Sequence, residues 1–136
     1  MLLGVGGSVE GKPSAHYQMV EDTCVGCHMG ENRVHTYEPD VAVCQACHAD
    51  AENFDINGVQ TEVQAMVDQL GELLVAEGVL SENGPDGHPT VTEAPENVAT
   101  ALYNWIYVAH EDKSMGVHNA AYTKALLEAG LAALGQ

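Results

Sequence analysis

A mostly α-helical chain is predicted, with a loop-rich N-terminal half wrapped on a bound group and about three helices in the C-terminal half. Three observations predict it. Residues 1–57 are rich in Gly, Pro, Cys and His and show no sustained helical period. Residues 58–136 carry apolar stripes at steps of three and four, separated by breaks. Aromatic mass is also scarce for 136 residues, with one Phe and one Trp, so large apolar plates other than side chains would complete the core. At this length the two segments form one structural unit.

The N-terminal segment cannot build its own core and reads as short turns laid on a cofactor. A first helix is expected within residues 58–78, where Val59, Val63, Met66, Val67, Leu70, Leu73 and Leu74 share a face between Asn57-Gly58 and Gly78. The run Ser81-Glu82-Asn83-Gly84-Pro85-Asp86-Gly87-His88-Pro89 ends that pattern. A second helix is expected over residues 95–110, with Pro95 in its first turn and Val98, Leu102, Trp105, Ile106 and Ala109 on one face. Residues 111–116 interrupt it. A third helix follows over residues 119–134, with Tyr122, Ala125, Leu126, Ala129 and Ala133 inward. No strand-like alternation stands out. No stretch approaches the ~20 apolar residues that a membrane span requires.

The chemistry lies in a doubled motif, Cys24-Val25-Gly26-Cys27-His28 and Cys44-Gln45-Ala46-Cys47-His48. In Cys-x-x-Cys-His, two thiols on one turn reach the two vinyl groups of a haem, and the adjacent histidine lies under the iron. Two covalently attached c-type haems are therefore implied. Sixteen residues separate Cys27 from Cys44, so the two would be near neighbours. A zinc site is the main rival, because the same cysteines make a C-x2-C-x16-C-x2-C pattern. A histidine after both pairs decides against zinc, and a pair of disulfides leaves those histidines unexplained.

Each iron needs a sixth ligand unless its distal face is open for chemistry. The remaining histidines are His16, His35, His88, His110 and His118, and the methionines are Met1, Met19, Met29, Met66 and Met115. Met66 belongs to a helix stripe and Met29 adjoins His28, so bis-histidine ligation is expected, with low reduction potentials. His118 stands at the mouth of the third helix, where a second residue can orient its other ring nitrogen. His16 and His35 flank the first motif in loops. His88 reads as exposed, and His110 as a partner of a haem propionate or of the helix dipole.

These residues resemble multihaem cytochromes related to the pentahaem nitrite reductases and their octahaem relatives. The likeness rests on Ser14-Ala15-His16, on Thr23 through His28-Met29, on Val34-His35-Thr36-Tyr37, and on Trp105 through Gly116-Val117-His118-Asn119 with Tyr122 and Leu126-Leu127. It spans roughly residues 13–134. The resemblance implies that His118 ligates the last haem, here the one at Cys44 and Cys47. It implies that His16 and His35 serve haems attached earlier in a longer chain, or line a reactive site. The first haem would then take its distal ligand from an N-terminal region, or from His16 or His35 of its own or a neighbouring chain. The Cys-x-x-Cys-Lys motif of a nitrite-reducing haem is absent from this sequence.

Four Lys and Arg stand against 20 Asp and Glu, a formal charge of −16, which argues against nucleic acid and anionic membrane surfaces as partners. Other cytochromes or redox proteins are the expected partners. A surplus ligand also implies self-association, with head-to-tail contacts that could propagate into a filament. Because c-type haem is attached on the exported side of a membrane, a periplasmic or extracellular location is expected. The expected work is outer-sphere electron transfer without catalysis. The alternatives are the terminal module of an oxyanion reductase with one open haem, and a zinc-binding module.

Overall fold

The structure, a computed structural model, describes residues 1–29 and 35–136; residues 30–34, including Val34 of the Val34–Tyr37 run, lie outside the described part. The chain is mostly α-helical, with six α-helices and no multi-residue strand among the described residues. Three are short: α1 (Ala15–Met19), α2 (Cys24–His28) and α3 (Val41–Cys44). Ser14 Oγ accepts from Tyr17 N to start α1, and Asp40 Oδ1 accepts from Ala42 N to start α3. None of the three buries a residue. Among the described residues of 13–57, Ala51 alone is fully buried. Such a segment has almost no hydrophobic burial of its own to offset the entropy of ordering it.

The core belongs to three longer helices, α4 (Val59–Ala76), α5 (Glu96–Ile106) and α6 (Ala120–Ala133), which pack on one another pairwise. Their bounds follow the sequence breaks closely. A 3-10 turn over Ile56–Gly58 leads into α4, and the Asp55 carboxylate accepts from Thr61 N and Thr61 Oγ1 there. Val63, Val67, Leu70 and Leu74 of the expected stripe are buried, with Val59 and Met66 at its edge. Trp105 is fully buried, and its indole N–H donates to Val67 O across the α4–α5 contact at 3.0 Å. Asn119 caps α6 by accepting from Tyr122 N. No helix among the described residues is long and apolar enough to cross a membrane.

Two features depart from the expected outline. First, α5 does not simply stop near His110 but widens into a π-helical stretch over Tyr107–Asp112. Second, residues 1–12 pack with the helical half rather than with the loops that follow. Tyr122 Oη accepts from Gly7 N and donates to Val9 O, and Tyr103 Oη donates to Gly6 O. Asn104, fully buried, accepts from Ser8 N at 3.2 Å and donates to Ser8 Oγ at 2.7 Å and Leu126 O at 2.9 Å. Glycine permits this approach, since a Cβ on Gly7 would lie 2.1 Å from Leu126 Cδ2.

Candidate functional site

Helix α2 winds the first motif into a single turn, which puts Cys24, Cys27 and His28 on adjacent positions of one short helix. The second motif begins at the last residue of α3 and continues as turns, with Cys47 N and His48 N both donating to Cys44 O. All four cysteines are free thiols. Burial pushes the Cys27 thiol pKa up, and the neighbouring Cys44 and Cys24 add to it. Among the described residues no three or more His, Cys, Asp or Glu side chains gather as a metal-ion ligand set.

The histidines are arranged in pairs. The His28 ring faces His118 with centroids 6.0 Å apart and planes at 53°. The His48 ring faces His16 at 6.2 Å and 79°. Two imidazoles bound to opposite sides of one iron, each nitrogen about 2 Å from it, hold their centroids about 6 Å apart. Separation alone does not distinguish these pairs, because His35 stacks on Tyr37 at the same 6.2 Å, nearly parallel at 9°. What distinguishes them is that each joins a motif histidine to one supplied by a separate element.

Ring orientation adds a second, independent feature. His28 Nδ1 lies 2.8 Å from Tyr37 O, and His16 Nδ1 lies 2.7 Å from Val117 O. A carbonyl can only accept, so in both rings Nδ1 carries a proton, which leaves Nε2 as the nitrogen that could serve a metal. His118 Nδ1 lies 2.7 Å from Asp112 Oδ1. The Asp112 side chain is only 3 % exposed. Burial works against its carboxylate, but hydrogen bonds from His118 and Ser114 outweigh that, and its pKa falls below the ordinary value. Asp112 is therefore an ionised acceptor, and His118 also presents Nε2 as its free nitrogen. Holding the non-ligating nitrogen in this way is what fixes a metal-binding histidine in one tautomer and one direction.

Asp112 ends the π-helical stretch, and a tightly turned segment carries the chain from it to His118. Lys113, Met115 and Gly116 all have positive φ, of 55°, 48° and 95°. A Cβ on Gly116 would lie 2.9 Å from Val59 Cγ1, so the turn is pressed onto α4. Ser114 Oγ donates to Asp112 Oδ2 and accepts from His118 N.

The pairing differs from the expectation drawn from the resemblance. His118 stands opposite His28 of the first motif, not His48 of the second, and His16 stands opposite His48. The turn between α5 and α6 holds both His118 and the Val117 carbonyl that meets His16 Nδ1, so one segment brings both rings to the motif histidines. His35 is exposed and, among the ring contacts of the described residues, pairs with Tyr37 rather than with a motif histidine. His88 sits exposed in its loop, with Nδ1 near Ser81 Oγ and Asp86 O. His110 lies in the π-helical stretch against Trp105, with centroids 5.0 Å apart. An open cavity of about 480 Å³ borders Cys47, His48 and the loop from Ala49 to Asn57. His16 is not among its walls.

Sequence reading missed Asp112 and Ser114. Both lie in a run that the sequence marks only as a helix break, and the available signal is an acidic residue six positions before a candidate ligand. The donor set and its geometry fit two bis-imidazole haems. No family model, no curated protein and no solved structure matches the chain.

Proposed function

We propose that the protein is an exported dihaem c-type cytochrome that carries electrons by outer-sphere transfer. The observation that carries this reading is the presence of two histidine pairs at bis-axial spacing, each containing the histidine of one Cys-x-x-Cys-His motif. Cys24 and Cys27 would hold one haem by thioether bonds, with His28 and His118 on its iron. Cys44 and Cys47 would hold the other, with His48 and His16. Each haem supplies a one-electron ferric/ferrous couple.

The residues of the chain do the rest. Tyr37 O, Asp112 and Val117 O keep His28, His118 and His16 aimed through Nε2. Bis-histidine ligation and the anionic surroundings of a chain with net charge −16 both favour the ferric form and low potentials. With an imidazole on each side, neither iron keeps an open face for nitrite or another oxyanion, which favours a carrier over a reductase. The partners to expect are redox proteins with basic docking faces.

The test is expression with an export signal in a host that matures c-type cytochromes. Two haems per chain by mass, retained after denaturation, and bis-histidine bands for both in near-infrared magnetic circular dichroism are expected. A colourless protein, or one whose high-spin signal responds to nitrite, overturns the proposal.

A further inference from the structure

The two distal histidines meet at one peptide group. Val117 C=O accepts from His16 Nδ1 at 2.7 Å, and the N–H of the same peptide, belonging to His118, donates to Ser114 Oγ at 3.2 Å. Ser114 Oγ donates to Asp112 Oδ2 at 2.5 Å, and Asp112 Oδ1 accepts from His118 Nδ1 at 2.7 Å. Reading along these contacts gives a continuous path: His16 ring, Val117–His118 peptide, Ser114 hydroxyl, Asp112 carboxylate, His118 ring. Both ends are histidines that face motif histidines. Ser114 is further fixed from outside, because Gln60 Nε2 of α4 donates to Ser114 O at 3.1 Å.

We infer that the Val117–His118 peptide, fastened by Ser114 and Asp112, is a shared clamp that orients the distal ligands of both haems, so that Ser114 is a positioning residue for both irons at once. The inference rests on the dihaem reading above and adds coupling to it. Hydrogen bonds in a chain polarise one another, so an acceptor at the peptide N–H, here Ser114 Oγ, makes the carbonyl of that peptide a better acceptor. A better acceptor for Nδ1–H makes the ring a more basic ligand, which favours ferric iron. Ser114 thus acts on His118 through Asp112 and on His16 through the peptide. Neither effect requires the hydroxyl to touch a haem.

The test is Ser114→Ala in the haem-loaded protein, with the two ferric low-spin EPR signals and the two midpoint potentials followed together. His118→Met and His16→Met variants assign each signal by converting one haem to histidine–methionine ligation. Ser114→Ala is expected to move the two potentials in opposite directions, raising that of the His48/His16 haem as Val117 C=O becomes a poorer acceptor and lowering that of the His28/His118 haem as Asp112 loses a donor and becomes a stronger acceptor, and Ser114→Thr to restore both toward wild type. Asp112→Asn is expected to move the His28/His118 haem chiefly. A Ser114→Ala protein that moves one haem and leaves the other at its wild-type potential and EPR position overturns the clamp while leaving the dihaem reading intact. A wild-type protein without two bis-histidine haems removes both. Should Ser114→Ala fail to fold, failure of Ser114→Thr to keep both wild-type potentials counts against the clamp.

Discussion

Replacing Asp112 with Asn changes one atom's chemistry at a site that is nearly closed to solvent. The carboxylate has two acceptor oxygens in use, Oδ1 for His118 Nδ1 and Oδ2 for Ser114 Oγ and N. An amide offers one acceptor oxygen, so one of those interactions is lost and the charge assistance with it. Hydrogen bonds to a charged group contribute about 1.5–3 kcal/mol, and at 136 residues that corresponds to a fall in Tm of about 5–12 °C. Because the folded pKa of Asp112 lies below its ordinary value of about 3.9, the carboxylate's contribution is fully present above that value and fades as pH falls through the lowered one. Thermal unfolding followed by circular dichroism should therefore show the full gap between wild type and Asp112→Asn at pH 7, narrowing below about pH 4. Equal Tm values at pH 7, or a gap that stays undiminished to pH 2, would refute this account of Asp112.

Asn104→Ala should cost about 2–4 kcal/mol, since it removes the three hydrogen bonds of a fully buried side chain. Residues 4–12 should then become the first site of limited proteolysis. Gly116→Ala should cost about 2–4 kcal/mol by combining a left-handed backbone with contact against Val59 and Val63, read by urea unfolding. The two imidazole pairs should differ in EPR. The 79° pair of His16 and His48 brings two iron orbitals close to degeneracy and gives the more axial, larger-gmax signal, whereas the 53° pair of His28 and His118 lies nearer the ordinary rhombic pattern. Identical rhombic signals from both haems would contradict that geometry.

How much of this was legible beforehand depended on whether a residue acts through periodicity or through a partner distant in sequence. The stripe Val63, Val67, Leu70 and Leu74 announces α4 because burial repeats at helical steps, and Gly58 and Gly78 mark its ends. The cysteine motifs are legible because their chemistry is local, confined to five residues each. Residues 1–12 were not legible as part of the helical half. Their attachment runs through Tyr103, Asn104 and Tyr122, side chains that in sequence look like ordinary members of helix faces. Nor was the π-helical stretch, since widening the helix over Tyr107–Asp112 depends on packing and not on any breaker residue. The five non-motif histidines were identified, but which faces which motif is a matter of how α5, α6 and the turn between them carry His118. Spacing in sequence does not contain that information.

The most direct measurement is a crystal structure of the haem-loaded protein with iron located by anomalous scattering. Two irons should appear, one between Nε2 of His28 and His118 with its haem attached at Cys24 and Cys27, the other between His48 and His16. An iron joining His118 to His48, a distal face without an imidazole, or a zinc ion held by the four cysteines would contradict the pairing on which the proposed function rests.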